Sequence, residues 1–383
     1  MKNSNSQQYK LKKIFIIVNV DWFFLSHRKE IALSAQKSGF DVTIVTNNTG
    51  MKPVIENLGL KVIDLPMSRS GKNIFEEIST LKFLYKLYKK DKPDLVHHVG
   101  LKTILWGTIA AKLAKVNGIV NAISGLGIFF SEDKMSFSSK IIFQLIRFSH
   151  NRNNLAVIFQ NDEDKSLFLR NHIIRESQAY LIKGSGVDLN HFCYTPEPVD
   201  GKIKVILTAR MIPEKGIFIL KDAANLLKKE YKDKVQFLLC GGIDDNPNAI
   251  KEEELKAFCD GDYISWIGYR TDVLDLLKSS HIVAFPSYYK EGLPKSLIEA
   301  AAVGRPIITT NSIGCKETVV EGYNGFLVPI KNREILANRL KKLIDDPQLR
   351  ASMGKNSRSL AEKYFSIEDV IIKHLEIYKQ LTT

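Results

Sequence analysis

Four cysteines in 383 residues, Cys193, Cys240, Cys259 and Cys315, show no paired spacing. That excludes a disulfide framework and a cysteine-built metal site as organising features, and scattered thiols fit reduced core residues of a cytoplasmic protein. Long apolar runs are also missing. The strongest early one, Ile14 to Val20, has strand length, well short of the roughly 18 residues that a membrane span needs. Met1 to Lys13 is polar and basic with no apolar core ahead of it, so no secretory leader is expected. The first strand is not followed by Gly-x-Gly-x-x-Gly, which argues against a dinucleotide there.

What is present is ordinary globular material, 44% hydrophobic and 25% charged, with chain enough for two cores. The formal net charge of +13 is placed unevenly. Residues 1–190 carry 27 lysines and arginines against 16 carboxylates; residues 191–383 carry 28 against 26. A basic first half suits anionic lipid or an anionic acceptor, and a solvated surface with spare lysines is the plainer alternative. Nucleic acid fits the sign too, but the strands lack aromatic–basic interleaving and no known module is present, so no nucleic-acid partner is expected.

Along the chain, short apolar runs alternate with helical patterns. Ile14–Val20 reads as a strand, an aromatic turn follows, and a helix runs from about Ser26 to Lys37, closed by Gly39. The alternation continues to Val157–Gln160, breaks over the Gly- and Pro-bearing stretch Lys183–Gly201, and restarts at Val205–Leu207. This pattern predicts an α/β protein of two doubly wound, Rossmann-like units, with a ligand cleft between them at the strand C-termini. The expected boundaries are a disordered tail over 1–11, one unit over 12–190, a second over 191–366, and a final helix over 367–383 packing back toward the first.

The stretch Phe285 to Glu299 concentrates the chemistry. A buried strand ends at Phe285, Pro286 turns the chain, Gly292 and Pro294 shape a tight loop, and Ser296 opens a helix. A helix N-terminus suits an anion, and the flanking carboxylates Glu291 and Glu299 suit a ligand rich in hydroxyls. Arg210 and Lys215, on the loop after the first strand of the second unit, form a candidate diphosphate clamp; two surface charges are the plainer alternative. His27, near the first helix of the chain, could reach a sugar hydroxyl or phosphate, or simply cap or fill the core. His97 and His98 end a strand, where alternation turns one side chain toward the cleft and one away.

The ordered set Arg210-x4-Lys215-Gly216, Gly241-Gly242, Gly268-Tyr269-Arg270-x-Asp272, Pro286-Ser287-x3-Glu291-Gly292-x-Pro294-x-Ser296-x2-Glu299-Ala300, Gly304-x-Pro306 and Gly314-x2-Glu317-x4-Gly322-x-Asn324-Gly325-x-Leu327-Val328 resembles the retaining glycosyltransferases of family 4, which have the two-domain GT-B fold. In the first half, Trp22 to Arg28, Asp94-Leu95-Val96-His97, Lys102 and Gly125-Leu126-Gly127 resemble the subgroup that extends undecaprenyl-diphosphate-linked sugars, such as the N-acetylgalactosaminyl transferases acting on lipid-linked bacillosamine. The family usually carries a glycine pair in the first turn; this chain has Asp21-Trp22-Phe23-Phe24, which points to an apolar acceptor wall.

The resemblance implies a donor site in the second unit. Glu291 would contact the donor sugar, Glu299 the ribose, and Arg210 and Lys215 the diphosphate. Tyr269 and Arg270 would sit at the base, and Gly242, Ser287, Gly292, Leu293, Pro294, Ser296, Gly314 and Glu317 would line the rest. His27, Arg28, His97, Lys102, Gly125 and Gly127 would face the acceptor, with Glu291, Arg210, Lys215 and His27 as the catalytic set. It implies a hexose or N-acetylhexosamine donated from a nucleotide-sugar, with UDP expected, to a lipid-linked glycan in surface polysaccharide synthesis. No cofactor and no metal are expected, since the two cations hold the leaving charge and no Asp-x-Asp pair is expected near the cleft. Same-face attack, with the departing phosphate taking the acceptor proton, is the expected retaining route. A sugar-nucleotide 2-epimerase of the same fold is the alternative and would want added carboxylates and histidines in the cleft.

Phe129 to Asn154 carries Met135, Phe137, Ile141, Ile142, Phe143, Leu145, Ile146 and Phe148 among Lys134, Lys140, Arg147 and Arg152. With the lysines of the Ile74–Lys92 helix, it suggests a peripheral site on the inner face of the cytoplasmic membrane; the core of a Rossmann unit is the alternative.

Overall fold

The computed structural model describes residues 11–67, 74–126, 137–244 and 249–383. Residues 1–10 of the tail expected over 1–11, Gly127, and residues 129–136 of the Phe129–Asn154 stretch lie outside the described residues.

The first domain is built from β1 (Lys12–Val18), α1 (Asp21–His27), α2 (Lys29–Lys37), β2 (Phe40–Thr46), α3 (Lys52–Asn57), β3 (Lys61–Asp64), α4 (Ile74–Asp91), β4 (Leu95–Val99), α5 (Leu101–Ala114), β5 (Gly118–Ile123), α6 (Phe137–His150), β6 (Leu155–Phe159), α7 (Asp162–Arg170) and β7 (Ala179–Leu181). The second follows with β8 (Ile203–Thr208), α8 (Ile217–Tyr231), β9 (Val235–Cys240), α9 (Glu252–Phe258), β10 (Ile264–Trp266), α10 (Val273–Lys278), β11 (Ile282–Phe285), α11 (Lys295–Val303), β12 (Ile307–Thr310), β13 (Gly325–Val328), α12 (Arg333–Asp345), α13 (Pro347–Tyr364) and α14 (Ile367–Thr382).

Both sheets are parallel, in the orders β3-β2-β1-β4-β5-β6-β7 and β10-β9-β8-β11-β12-β13. Parallel strands covered on both faces bury nearly every residue, which is why β4, β5 and β6 are unbroken apolar runs apart from His97, His98 and Asn121. The strand order reverses between β1 and β4 in one sheet and between β8 and β11 in the other. Such a reversal opens a crevice at the strand C-termini, and each domain has one.

The first sheet buries two cores. One face packs on α4, α5 and α6, through Leu84, Tyr88, Ile104 and Ile146. The other packs on α2 and on α14, which contributes Ile367, Val370, Ile377, Tyr378 and Leu381. A helix that follows the whole second domain in sequence therefore belongs to the core of the first.

The start of the chain differs from the sequence expectation. The aromatic segment Asp21–Phe24 is not a turn before a helix at Ser26; it is the first turn of α1, and α2 begins separately at Lys29. Asp21 explains the early start. Its buried carboxylate accepts from the backbone N–H of Thr49 at 2.6 Å, of Met51 at 2.9 Å and of Trp22 at 2.8 Å. Burial alone would raise its pKa, but these bonds and the Thr49 hydroxyl outweigh it and hold the group below its usual range.

Candidate active site

The centre of the site lies where β8 and β11 lie side by side at the strand-order reversal. After β8 the chain makes a tight turn, Pro213–Lys215, and Gly216 leads into α8. Gly216 has φ +82°, and a Cβ there would stand 2.2 Å from the Pro286 carbonyl oxygen, so the exits of β8 and β11 touch backbone to backbone. Two further bonds join them: Tyr288 N–H to the Glu214 carbonyl at 2.9 Å, and the Ser287 hydroxyl to the same carbonyl at 3.1 Å. Thr310 at the end of β12 donates its hydroxyl to the Ser287 carbonyl.

This joint points Lys215 inward. Its Nζ contacts the Glu291 carboxylate and lies 5.4 Å from the ring centres of both Phe285 and Tyr289. The two charged side chains are only 11% and 13% exposed. A lysine so enclosed needs a carboxylate, and Glu291 supplies it. Ser287 Oγ also lies 3.3 Å from Glu291 Oε1.

Glu299 and His27, on opposite domains, share Lys295 as a charged neighbour. Pro294 is extended and α11 begins at Lys295, which places Glu299 one turn along. Lys295 Nζ lies 3.8 Å from Glu299 and donates to the Ser26 carbonyl of the first domain. Burial pushes the Glu299 carboxyl up to about 6, with Lys295 pulling the other way. His27 stacks flat on Phe23, ring centres 4.0 Å apart, with Nδ1 2.6 Å from Ser26 Oγ. Burial first, then the charges of Lys295 and Arg28, lower its pKa well below the usual value, so the imidazole is neutral at neutral pH. Arg28 is buried and donates to the His27 carbonyl at 2.9 Å.

The other candidates fall into separate groups. Arg210 and Lys215 have different carboxylate partners: Lys215 pairs with Glu291, and the Arg210 guanidinium pairs with Asp244, a buried carboxylate that the motif reading passed over. Gly242 and Tyr269 adjoin beyond β9, with Tyr269 77% exposed and Arg270 held by Asp272 at 2.7 Å. Gly314 packs on the Glu291–Gly292 peptide. Glu317 lies 3.7 Å from Lys183, and burial raises its carboxyl above the usual range. Lys102 pairs with Glu77 at 2.7 Å. Leu293 and Pro294 are buried, and Ser296 is half-buried at the start of α11.

Three expectations need correction. His97 does not face the cleft. It is fully buried, with Nδ1 2.6 Å from the Tyr378 hydroxyl of α14, while His98 points to the opposite face and meets Tyr88 at 3.0 Å and Asn121 at 2.9 Å. Gly125, expected on the acceptor side, packs directly on the Glu291–Gly292 peptide. An Asp-x-Asp pair does occur near the cleft: Asp162-Glu163-Asp164 opens α7, where Glu163 pairs with Lys316 of the second domain and Asp164 bonds Asn161 at 3.0 Å. Among the described residues, no group of three or more His, Cys, Asp or Glu is gathered as metal ligands. Besides Asp244, the motif reading also passed over Lys295, Gln160 and Asn161. Their one signal is position: polar residues directly after a buried strand or at a helix start.

The two domains match two family models. Residues 196–360 match glycosyl transferases group 1, and residues 13–161 match glycosyl transferase 4-like. The chain carries a glycosyltransferase 4-like domain followed by a group 1 glycosyltransferase domain. This glycosyltransferase is 28% identical to the N,N'-diacetylbacillosaminyl-diphospho-undecaprenol alpha-1,3-N-acetylgalactosaminyltransferase of Campylobacter jejuni, over 92% of this chain and 99% of the relative. It is 25% identical to the UDP-Gal:alpha-D-GlcNAc-diphosphoundecaprenol alpha-1,3-galactosyltransferase of Escherichia coli, over 88% and 89% of the two chains. Among solved structures, a glycosyltransferase from Rickettsia africae superposes with a TM-score of 0.77 at 21% identity, covering 97% of this chain and 99% of the other. Anabaena HepE in complex with UDP gives 0.76 at 18% identity, covering 97% and 100%. The fold is GT-B: two Rossmann-like domains facing across a cleft.

Proposed function

We propose that this glycosyltransferase moves a hexose or N-acetylhexosamine from a UDP-linked donor to a lipid-linked glycan, with retention and without a metal, in the assembly of a surface polysaccharide. The observation that carries the reading is the buried Lys215–Glu291 pair at the β8/β11 crevice, with Glu299 one helical turn beyond the same loop. A lysine and a glutamate side by side divide a sugar diphosphate between them: phosphate oxygens to Lys215, sugar hydroxyls to Glu291. Glu299, once ionised, accepts both hydroxyls of a ribose. Arg210, 37% exposed and oriented by Asp244, reaches the diphosphate from the rim.

In the reaction, the bond from the anomeric carbon to the leaving phosphate breaks as the acceptor oxygen bonds that carbon on the same face. The acceptor proton passes to the departing phosphate, and Lys215 and Arg210 hold the charge that grows there. A neutral His27 orients an acceptor hydroxyl. The relatives reported above are named as transferases onto diphospho-undecaprenol-linked sugars, which favours this reading over epimerisation.

The reading includes a peripheral site on the cytoplasmic face of the membrane. Helix α4 exposes Phe75, Ile78 and Tyr85 beside Lys82, Lys86, Lys89 and Lys90, and α6 exposes Ile141 and Phe148 beside Arg147. Another face of α6 is core: Ile146 is buried, and Ile142, Phe143 and Leu145 pack against the same core as α5. No helix among the described residues is long and apolar enough to cross a bilayer. Basic helices with exposed aromatic residues suit anionic headgroups.

Sugar-nucleotide screening by thermal shift, followed by turnover on a lipid-linked acceptor, tests the reaction. Glu291→Gln should lower kcat about 100-fold or more with UDP affinity kept, whereas Glu299→Gln should weaken UDP binding itself. Equal small effects would sink the assignment. Activity that survives excess chelator supports the metal-free route, and its loss would overturn that part. Anionic liposomes should float the protein at low salt; failure to float with activity intact would remove the membrane site.

A further inference from the structure

The loop that carries Glu291 is held from the other domain. Leu293 is buried, and its backbone N–H donates at 2.9 Å to Oε1 of Gln160, the residue directly after β6 in the first domain. The next residue, Asn161, caps α7 by accepting from Asp164 N–H at 2.8 Å, and its Nδ2 reaches the Gly292 carbonyl at 3.4 Å. Gln160 and Asn161 are 5% and 1% exposed. A buried N–H without an acceptor is costly, so the loop's conformation depends on Gln160 being there.

Shape repeats the message. A Cβ on Gly292 would stand 2.2 Å from Gln160 Oε1 and 2.6 Å from the Ser124 backbone. From the first domain, Gly125 has φ +107°, and a Cβ on it would stand 2.7 Å from Gly292 N. From the second domain, a Cβ on Gly314 would stand 2.3 Å from the Gly292 carbonyl oxygen. The Glu291–Gly292 peptide is thus wedged between two domains, with glycine at each close approach. Lys316–Glu163 and Lys295–Ser26 add polar contacts across the same junction.

We propose that Gln160 is a positioning residue for the transfer: through the Leu293 amide it sets the Glu291 carboxylate in its working place, and it does so only when the two domains are in contact. Gln160 acts through the loop and not on the sugar. Glu299, Lys215 and Arg210 are also placed by contacts that Gln160 does not make, helix α11, the β8/β11 joint and Asp244, so nucleotide binding depends on it far less than the setting of Glu291 does. The inference rests on the donor role given to Glu291 above.

The test compares Gln160→Met, which keeps length and removes the acceptor, with Gln160→Glu, which keeps an acceptor oxygen. Gln160→Met should lower kcat about tenfold or more, with the Kd for UDP within about twofold of the parent, and Gln160→Glu should restore much of the loss. Should the methionine variant not fold, Gln160→Ser, whose space admits a water to the Leu293 amide, takes its place with the same expectation. Deuterium exchange across residues 286–294 should quicken in the methionine or serine variant and stay unchanged across 205–216. Parental kcat in that variant, equal losses of kcat and UDP affinity, or unaltered exchange across 286–294 would each overturn the proposal. A parent protein that binds no sugar nucleotide would refute the donor reading instead, and the exchange comparison would still judge whether Gln160 holds the loop.

Discussion

Glu299 is the side chain whose charge the fold resists. Its carboxyl is pushed up to about 6 from a usual value of 4.5, because burial outweighs the neighbouring Lys295. The folded state therefore holds this proton more tightly than the unfolded chain does. Stability contributed by the group is present below the unfolded value and is lost as pH rises from 4.5 to about 6. The difference is worth roughly 2 kcal/mol at most. Glu299→Gln should accordingly stabilise the free protein by up to about 2 kcal/mol near pH 7.5 and by little near pH 4.5, read by urea unfolding at both. The same effect at both pH values would count against a buried, strained carboxylate. UDP affinity of the parent should fall below about pH 6, as the ribose partner becomes protonated. Glu291 and Glu299 were legible in the sequence because they share one short stretch with its own turn residues. Gln160 was not, because its partner Leu293 lies 133 residues away. His97 shows the same limit. Alternation separates it from His98, but only the packing of α14, carrying Tyr378, shows that the His97 side is core.

At the scale of elements, the strands and their alternation with helices were the readable part. Fully covered parallel strands must be apolar throughout, and such runs stand out between Gly- and Pro-bearing breaks. Helix starts were less readable. α1 begins five residues earlier than its apolar pattern suggests, because Asp21 gathers N–H groups from a loop that follows β2. The joint between β8 and β11 yields a direct test. Gly216→Ala places a methyl against the Pro286 carbonyl at a left-handed φ, where neither backbone can yield cheaply. It should destabilise the protein by about 2 kcal/mol or more in urea unfolding and weaken nucleotide binding by moving Lys215. A change within about 0.5 kcal/mol would show that the joint is looser than its contacts imply.

At the scale of the molecule, ties between the two domains include the Glu291–Leu293 loop, the Lys316–Glu163 and Lys295–Ser26 contacts and α14. Removing residues 367–383 should therefore damage the distant domain. It strips Ile377, Tyr378 and Leu381 from the first sheet, leaves His97 without Tyr378, and removes the Leu381 carbonyl that accepts from Asn154 at 3.2 Å. Deuterium exchange should rise across β4 and β5 while β8 and β11 stay protected; the reverse pattern would refute this account of α14. The packing of α14 also has a bearing on how the chain is made. Domains tend to fold in the order in which synthesis delivers them. Here the domain delivered first lacks part of one wall of its core until the helix that follows the second domain arrives. A nascent chain with its second domain already formed still presents apolar sheet surface that α14 will cover, and that surface is where chaperone dependence and aggregation of this protein would begin.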